Sequence, residues 1–151
     1  MKTNVKKWMN VLLGAILGMF GYGCKDSGPV AMYGVPSGDL TFDSQVTNES
    51  SKPLEGIQVV RRGGWKDGTG TMRWEDRADT MHTDANGKVH REYQRDFPLI
   101  YHKVIVSDVT GEYQPDSVIK EVKYSGGRDA WYQGKATLET NFVLRKKDKW
   151  F

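Results

Sequence analysis

VTNESSKPLEGIQVV, residues 46–60, decides the fold when it is set beside HTDANGKVH, residues 82–90. The first stretch ends one strand at Val46, turns through polar residues, and starts a second strand after Pro53, Leu54 and Gly56. Pro53 fixes φ on the approach to that strand, and Gly56 allows a bend or a close backbone approach. The second stretch ends a strand at Thr83, turns through Asp84-Ala85-Asn86-Gly87, and leaves on another strand. An Asp side chain can cap backbone N–H groups in such a turn, and a Gly can take positive φ. Two turn-bracketed strand pairs of this kind are the skeleton of a small β-sandwich.

Strand signals recur outward from this pair. Apolar and polar residues alternate over residues 40–47, 56–62, 99–107, 115–124 and 137–145. Residues 79–83 and 88–93 flank the turn at residues 84–87. Asp108 and Gly111 stand in favoured turn positions. That makes seven expected strands, with no segment of helical period long enough to compete. Several short strands separated by Gly, Asn and Asp turns argue for an all-β sandwich. Two stretches break the pattern, residues 63–77 (GGWKDGTGTMRWEDR) and residues 125–134 (SGGRDAWYQG). Long irregular loops in a compact domain are uncommon unless they bind something or move. Both are expected at the ends of the sheets, and they carry the candidate partner-binding residues Trp65, Trp74, Trp131 and Tyr132. Exposed aromatic side chains can stack on sugars or anchor a protein partner.

The N-terminal 23 residues read differently. Lys2, Lys6 and Lys7 precede an apolar run from Val11 to Phe20, and Gly21-Tyr22-Gly23 closes the segment. That is the profile of a secretory signal peptide, and the run is too short for the ~20 apolar residues of a membrane span. Cys24 follows at once and is the only cysteine among 151 residues. The arrangement resembles a bacterial lipoprotein signal, in which the cysteine thiol takes a diacylglycerol and becomes the new N-terminus. Gly21-x-Gly23 also fits ordinary signal-peptidase cleavage, which would leave a free N-terminal thiol in an oxidising compartment, a chemical liability. The expected division is therefore a signal peptide at residues 1–23, a lipidated cysteine and tether at 24–38, and a sandwich at 39–151. Lys25-Asp26 resembles the export signal that some Gram-negative bacteria place after the lipid cysteine. The expected location is the cell envelope, lipid-anchored, with the outer membrane as the site, facing the periplasm or the surface.

Charge excludes one class of partner. The chain has 22 Lys+Arg and 19 Asp+Glu; without Lys2, Lys6 and Lys7 the count is 19 against 19. Nucleic-acid binding needs clustered cations to neutralise phosphates, and a balanced chain does not offer it. Catalytic patterns are also missing. His90 and Glu92 share an expected strand face with His102 expected nearby, but zinc wants three or four converging ligands. Asp84-Ala85-Asn86-Gly87 lacks the later ligands of a calcium loop, and Gly68-Thr69-Gly70 lacks the Lys of a phosphate loop. The expectation is a non-enzyme with no catalytic residue, metal or cofactor.

The matched positions Pro53, Leu54, Gly56, Val59, Thr83, Asp84 and Gly87 resemble the carboxypeptidase regulatory-like, or transthyretin-like, domain family, with Val89 in place of a Phe. The implied fold is a seven-stranded Greek-key β-sandwich of transthyretin-like or Ig-like type. Taken whole, the chain resembles the radical SAM-associated lipoproteins. The features are Cys24, the Met32-Tyr33-Gly34-x-Pro36 patch, the strand pair above, the turn at residues 108–112 and Trp131-x-x-Gly134 before the last strand. That resemblance implies association with a radical SAM enzyme and carries no catalytic residues. The chain has no three-cysteine cluster motif, so it is not the enzyme. The implied roles are an accessory module that binds an envelope protein or glycan, or a carrier or substrate of the enzyme; a carbohydrate-binding module is a further alternative.

Overall fold

The computed structural model describes residues 34–148, and all structural statements below concern these. The signal peptide, Cys24, most of the tether and Trp150 lie outside them. The described residues form nine strands and no helix. They are β1 (Ser37–Asn48), β2 (Gln58–Lys66), β3 (Met72–Trp74), β4 (Asp79–His82), β5 (Lys88–Asp96), β6 (Tyr101–Ser107), β7 (Asp116–Glu121), β8 (Ser125–Gly126) and β9 (Tyr132–Leu144). All seven strands expected from the alternation are present; β3 and β8 are two short additions.

The strands form two sheets. The first has the order β5-β1-β9-β8, and the second has β3-β2-β6-β7, with β4 pairing β2 as well. β3 and β4 share one edge of β2: Trp65 lies opposite Arg73, and Val60 opposite Thr80. β1 runs parallel to β9, the rest of the pairing being antiparallel. One face of each sheet is apolar, because side chains alternate across a strand. β9 shows this most plainly: Ala136, Leu138, Thr140, Phe142 and Leu144 are buried, and each neighbour between them is exposed. The apolar four of these meet Phe42 and Val46 of β1 and Val59, Val104 and Val106 of the other sheet in one core cluster. Two hydroxyls inside it satisfy each other, Thr140 donating to Ser44 at 2.9 Å.

The stretches that opened the sequence reading are wired together. Thr83 Oγ1 accepts a hydrogen bond from the Ile57 N–H at 2.9 Å and donates to the Leu54 carbonyl at 2.6 Å. The Gly56 N–H donates to Thr83 O, and the Thr83 N–H to Ile57 O. The Val46 N–H donates to Gly87 O at 2.8 Å, and the Leu54 N–H to Val46 O at 3.1 Å. Asp84 Oδ1 takes the N–H groups of Asn86 and Lys88, as the turn chemistry requires. One end of the sandwich is thereby fastened by backbone bonds and a single buried threonine.

Residues 63–77 are not the open loop that their glycines implied. β2 continues to Lys66, turns, and pairs with β3. Gly63 and Gly64 fit inside β2 because larger residues lie against them: a Cβ on Gly63 would meet Leu99, and one on Gly64 would meet the Trp74 ring at 2.5 Å. The last strand likewise begins earlier than the expected residue 137, since β8 pairs with Gly134 and Lys135. Ile100 also departs from the expected pattern. It sits before β6 and is exposed, whereas His102 takes the inward position beside Val104 and Val106.

Candidate functional site

The two irregular stretches come to the same end of the sandwich. β1 begins there, with Ser37 opposite Tyr132 of β9 and Gly38 opposite Asp96 of β5. In the second sheet Gly64, Tyr101 and Glu121 form one row near the end of β2, the start of β6 and the end of β7. Residues 97–100 and 122–124 cross between the sheets at this end, held by the Val122 N–H donating to Ile100 O at 2.8 Å.

The four aromatic residues expected to bind a partner divide into two pairs. Trp65 is 45% exposed and Trp131 47% exposed. Trp74 is half-buried with its ring lying on Gly64. Tyr132 is half-buried, its hydroxyl donating to Asp39 Oδ2 at 2.8 Å. Asp39 Oδ1 also accepts the Arg95 N–H at 2.9 Å. That backbone bond first, and the tyrosine second, hold the Asp39 carboxyl below its usual range, while the same carboxylate raises the Tyr132 phenol. Trp74 and Tyr132 therefore brace the loops, and Trp65 and Trp131 present themselves to solvent.

Carboxylates set the shape of both loops. Asp67 Oδ1 accepts the N–H groups of Thr69 and Thr71 and the Thr69 hydroxyl, and Oδ2 accepts Arg73 Nε–H at 2.9 Å. The Thr69 hydroxyl, then Arg73, lowers its pKa to about 2. Asp129 Oδ1 accepts the N–H groups of Trp131 and Tyr132, both at 2.8 Å. The Trp131 carbonyl in turn takes the Ser37 N–H at 2.7 Å, which ties this loop to the start of β1.

Two open clefts flank residues 97–100. One, of about 610 Å³, is lined by Trp65, Phe97 and Leu99 together with Glu75, Asp76 and Arg77. The other, also about 610 Å³, includes Ile100, Tyr124, Asp129 and Gln133. Phe97 and Ile100 are exposed; alternation passed over Phe97 and put Ile100 on the same face as His102, Val104 and Val106. Their signal was the apolar run Phe97-Pro98-Leu99-Ile100, too long for a connection to keep fully buried.

Behind the clefts lies a polar group that the sequence reading also missed. Arg61 is buried and donates from Nη1 to His102 Nδ1 at 3.1 Å, and His102 Nε2–H donates to the Leu99 carbonyl at 2.9 Å. The guanidinium carbon sits 4.0 Å from the centre of the Tyr93 ring, a cation–π distance. The Tyr93 hydroxyl donates to Asp79, which also faces Arg91 at 3.5 Å. Burial, and then the Arg61 charge, drops the His102 pKa to about 4, so the imidazole is neutral. The signal was present: alternation puts Arg61 on the face of Ile57 and Val59. The possible metal pair separates, since His90 is exposed on β5, bonded to Asp43 at 2.6 Å, while His102 is buried in the other sheet. Among the described residues no three His, Cys, Asp or Glu side chains come together as metal ligands.

No protein-family model matches the chain, and no curated protein matches it. Among solved structures, it is similar to a 3-chlorocatechol 1,2-dioxygenase from Rhodococcus opacus 1CP at 11% identity and a TM-score of 0.44, over 80% of this chain and 71% of that one. It is also similar to a 9R-lipoxygenase from Cyanothece PCC8801 at 20% identity and a TM-score of 0.33, over 68% of this chain and 16% of that one. No activity is carried over from likenesses this distant. The chain's own residues define the class: an all-β sandwich of two sheets.

Proposed function

We propose that this protein is a non-catalytic lipoprotein of the cell envelope, a binding or accessory module held to a membrane by lipid on Cys24. The observation that carries the reading is that single cysteine, placed directly after a basic and apolar leader. The contact surface is the loop-bearing end, with Trp65 and Trp131 as the touching residues and Trp74 and Tyr132 as their supports. In favour of a non-catalytic role, Asp39 and Asp67 commit both carboxylate oxygens, and Asp129 one, to holding loops in place. The resemblance to radical SAM-associated lipoproteins supports an accessory role beside such an enzyme.

Mass spectrometry of the mature protein from membranes tests the anchor. The expected product starts at Cys24 and carries a diacylglyceryl group, and Cys24→Ser leaves the protein unprocessed and without lipid. A mature chain that keeps its first 23 residues, or starts at Cys24 without lipid, refutes the reading. The neighbouring genes test the accessory role, which a locus without a radical SAM enzyme removes.

A further inference from the structure

We propose that the loop-bearing end of the sandwich rests on the lipid bilayer that holds the anchor, with Trp65, Phe97, Ile100 and Trp131 at the level of the headgroups. The proposal depends on the lipid-anchor reading above and names the partner of that same surface.

Clustering is the first argument. The exposed large apolar side chains among the described residues are Val35, Trp65, Phe97, Ile100, Val109, Ile119, Trp131 and Val143. Five of these eight, Val35, Trp65, Phe97, Ile100 and Trp131, belong to one end, and they come from four separate segments of chain. An aromatic side chain carries roughly 150–250 Å², so three of them about half exposed present on the order of 300 Å². Apolar area of that order, gathered at one end of a soluble domain, is often functional.

The second argument is where the chain enters. Gly34 leads into β1 at this same end, where Ser37 is bonded to the Trp131 carbonyl. Cys24 lies ten positions before Gly34. Ten residues reach at most about 35 Å when fully extended. β9 has 13 residues, hence a length of about 43 Å. To lay the opposite end on the bilayer, the tether would have to run beyond its full extension along the side of the domain. The loop-bearing end is within reach with no such stretching, and tethering keeps its effective concentration at the surface high.

Chemistry gives the third argument. Tryptophan favours the membrane–water interface, where one part of the ring is apolar and the other wet. The apolar side chains here share their clefts with charges of both signs, Glu75, Asp76, Arg77 and Asp129, and Lys66 and Arg128 adjoin them in the chain. A fluid headgroup layer accommodates that spacing, whereas a rigid protein partner would need matching pockets. The mixed charges also mean that contact does not require anionic lipid.

The test uses the mature lipidated protein in phosphatidylcholine vesicles, with and without brominated acyl chains, read by tryptophan fluorescence. Bromine is expected to quench the emission clearly, and Trp65→Phe plus Trp131→Phe to remove at least half of the quenching. Trp74 and Trp150 remain as reference emitters in the double variant. Replacing a third of the lipid by phosphatidylglycerol is expected to leave the quenching within about 20%. A protein shown by mass to carry lipid but not quenched by bromine overturns the proposal while leaving the anchor standing. A mass without lipid overturns the anchor and the proposal together. Quenching retained in full by the double variant refutes the placement of these tryptophans. Emission that changes only when envelope proteins are added assigns the surface to a protein instead.

Discussion

At Gly87 the backbone takes φ +70°, and a Cβ there would sit 2.4 Å from the Val46 carbonyl oxygen. At Gly56 φ is +75°, but a Cβ would meet nothing within 4 Å. The two glycines thus separate backbone strain from collision. Gly56→Ala is expected to cost about 1–2 kcal/mol, the strain of a left-handed residue. Gly87→Ala adds displacement of the β1 carbonyl and is expected to cost about 3 kcal/mol or more. Urea unfolding of both variants checks this; equal midpoints would show that the close approach to Val46 is unimportant. The sequence motif announced both turns but not this asymmetry, because spacing shows which residue bends and not what lies above it.

The β2–β3 hairpin shows where reading by alternation stops. Residues 63–77 hold Gly63, Gly64, Gly68 and Gly70, and glycine weakens any strand assignment. The chain pairs there because Trp74 and Leu99 cover the missing side chains of Gly64 and Gly63. Such cover is a tertiary fact, invisible in a one-dimensional pattern. The seven longer strands were legible because a two-sheet core imposes strict inward and outward alternation on each. The local clue to the hairpin was Asp67, spaced to bind the amides of Thr69 and Thr71 before Arg73 returns to it. Asp67→Ala is expected to speed hydrogen exchange at Thr69, Thr71 and Met72 while leaving the global unfolding midpoint nearly unchanged. A large fall in that midpoint would mean the hairpin supports the core, contrary to its exposed position. Since the carboxyl titrates at about 2, this clamp holds at neutral pH and loosens only as pH falls from the ordinary aspartate range toward that value.

Over the whole molecule, the buried Arg61–His102 pair makes stability depend on pH above the carboxylate range. His102 is 1% exposed, and its folded pKa of about 4 lies below the 6.5 of an unfolded histidine. The unfolded chain therefore takes up a proton first as pH falls. The stability contributed by keeping His102 neutral is complete above pH 6.5 and is lost between about 6.5 and 4, amounting to at most about 3 kcal/mol. His102→Gln, which can still accept from Arg61 and donate to Leu99, is expected to flatten the stability profile between pH 6.5 and 5, measured by urea unfolding. An unchanged slope would remove His102 as its cause. Inward alternation marked both residues, yet only the packed sheets show that they meet. The parallel pairing of β1 with β9 acts on the molecule as a whole in another way. Ser44 and Thr140, bonded side chain to side chain, are 96 positions apart. The central seam of the first sheet therefore joins the first of the described strands to the last, and closing so long a loop is slow. Until residues 132–144 have been synthesised, β1 can hold only β5 at its side, so the sandwich cannot close before its last strand has left the ribosome.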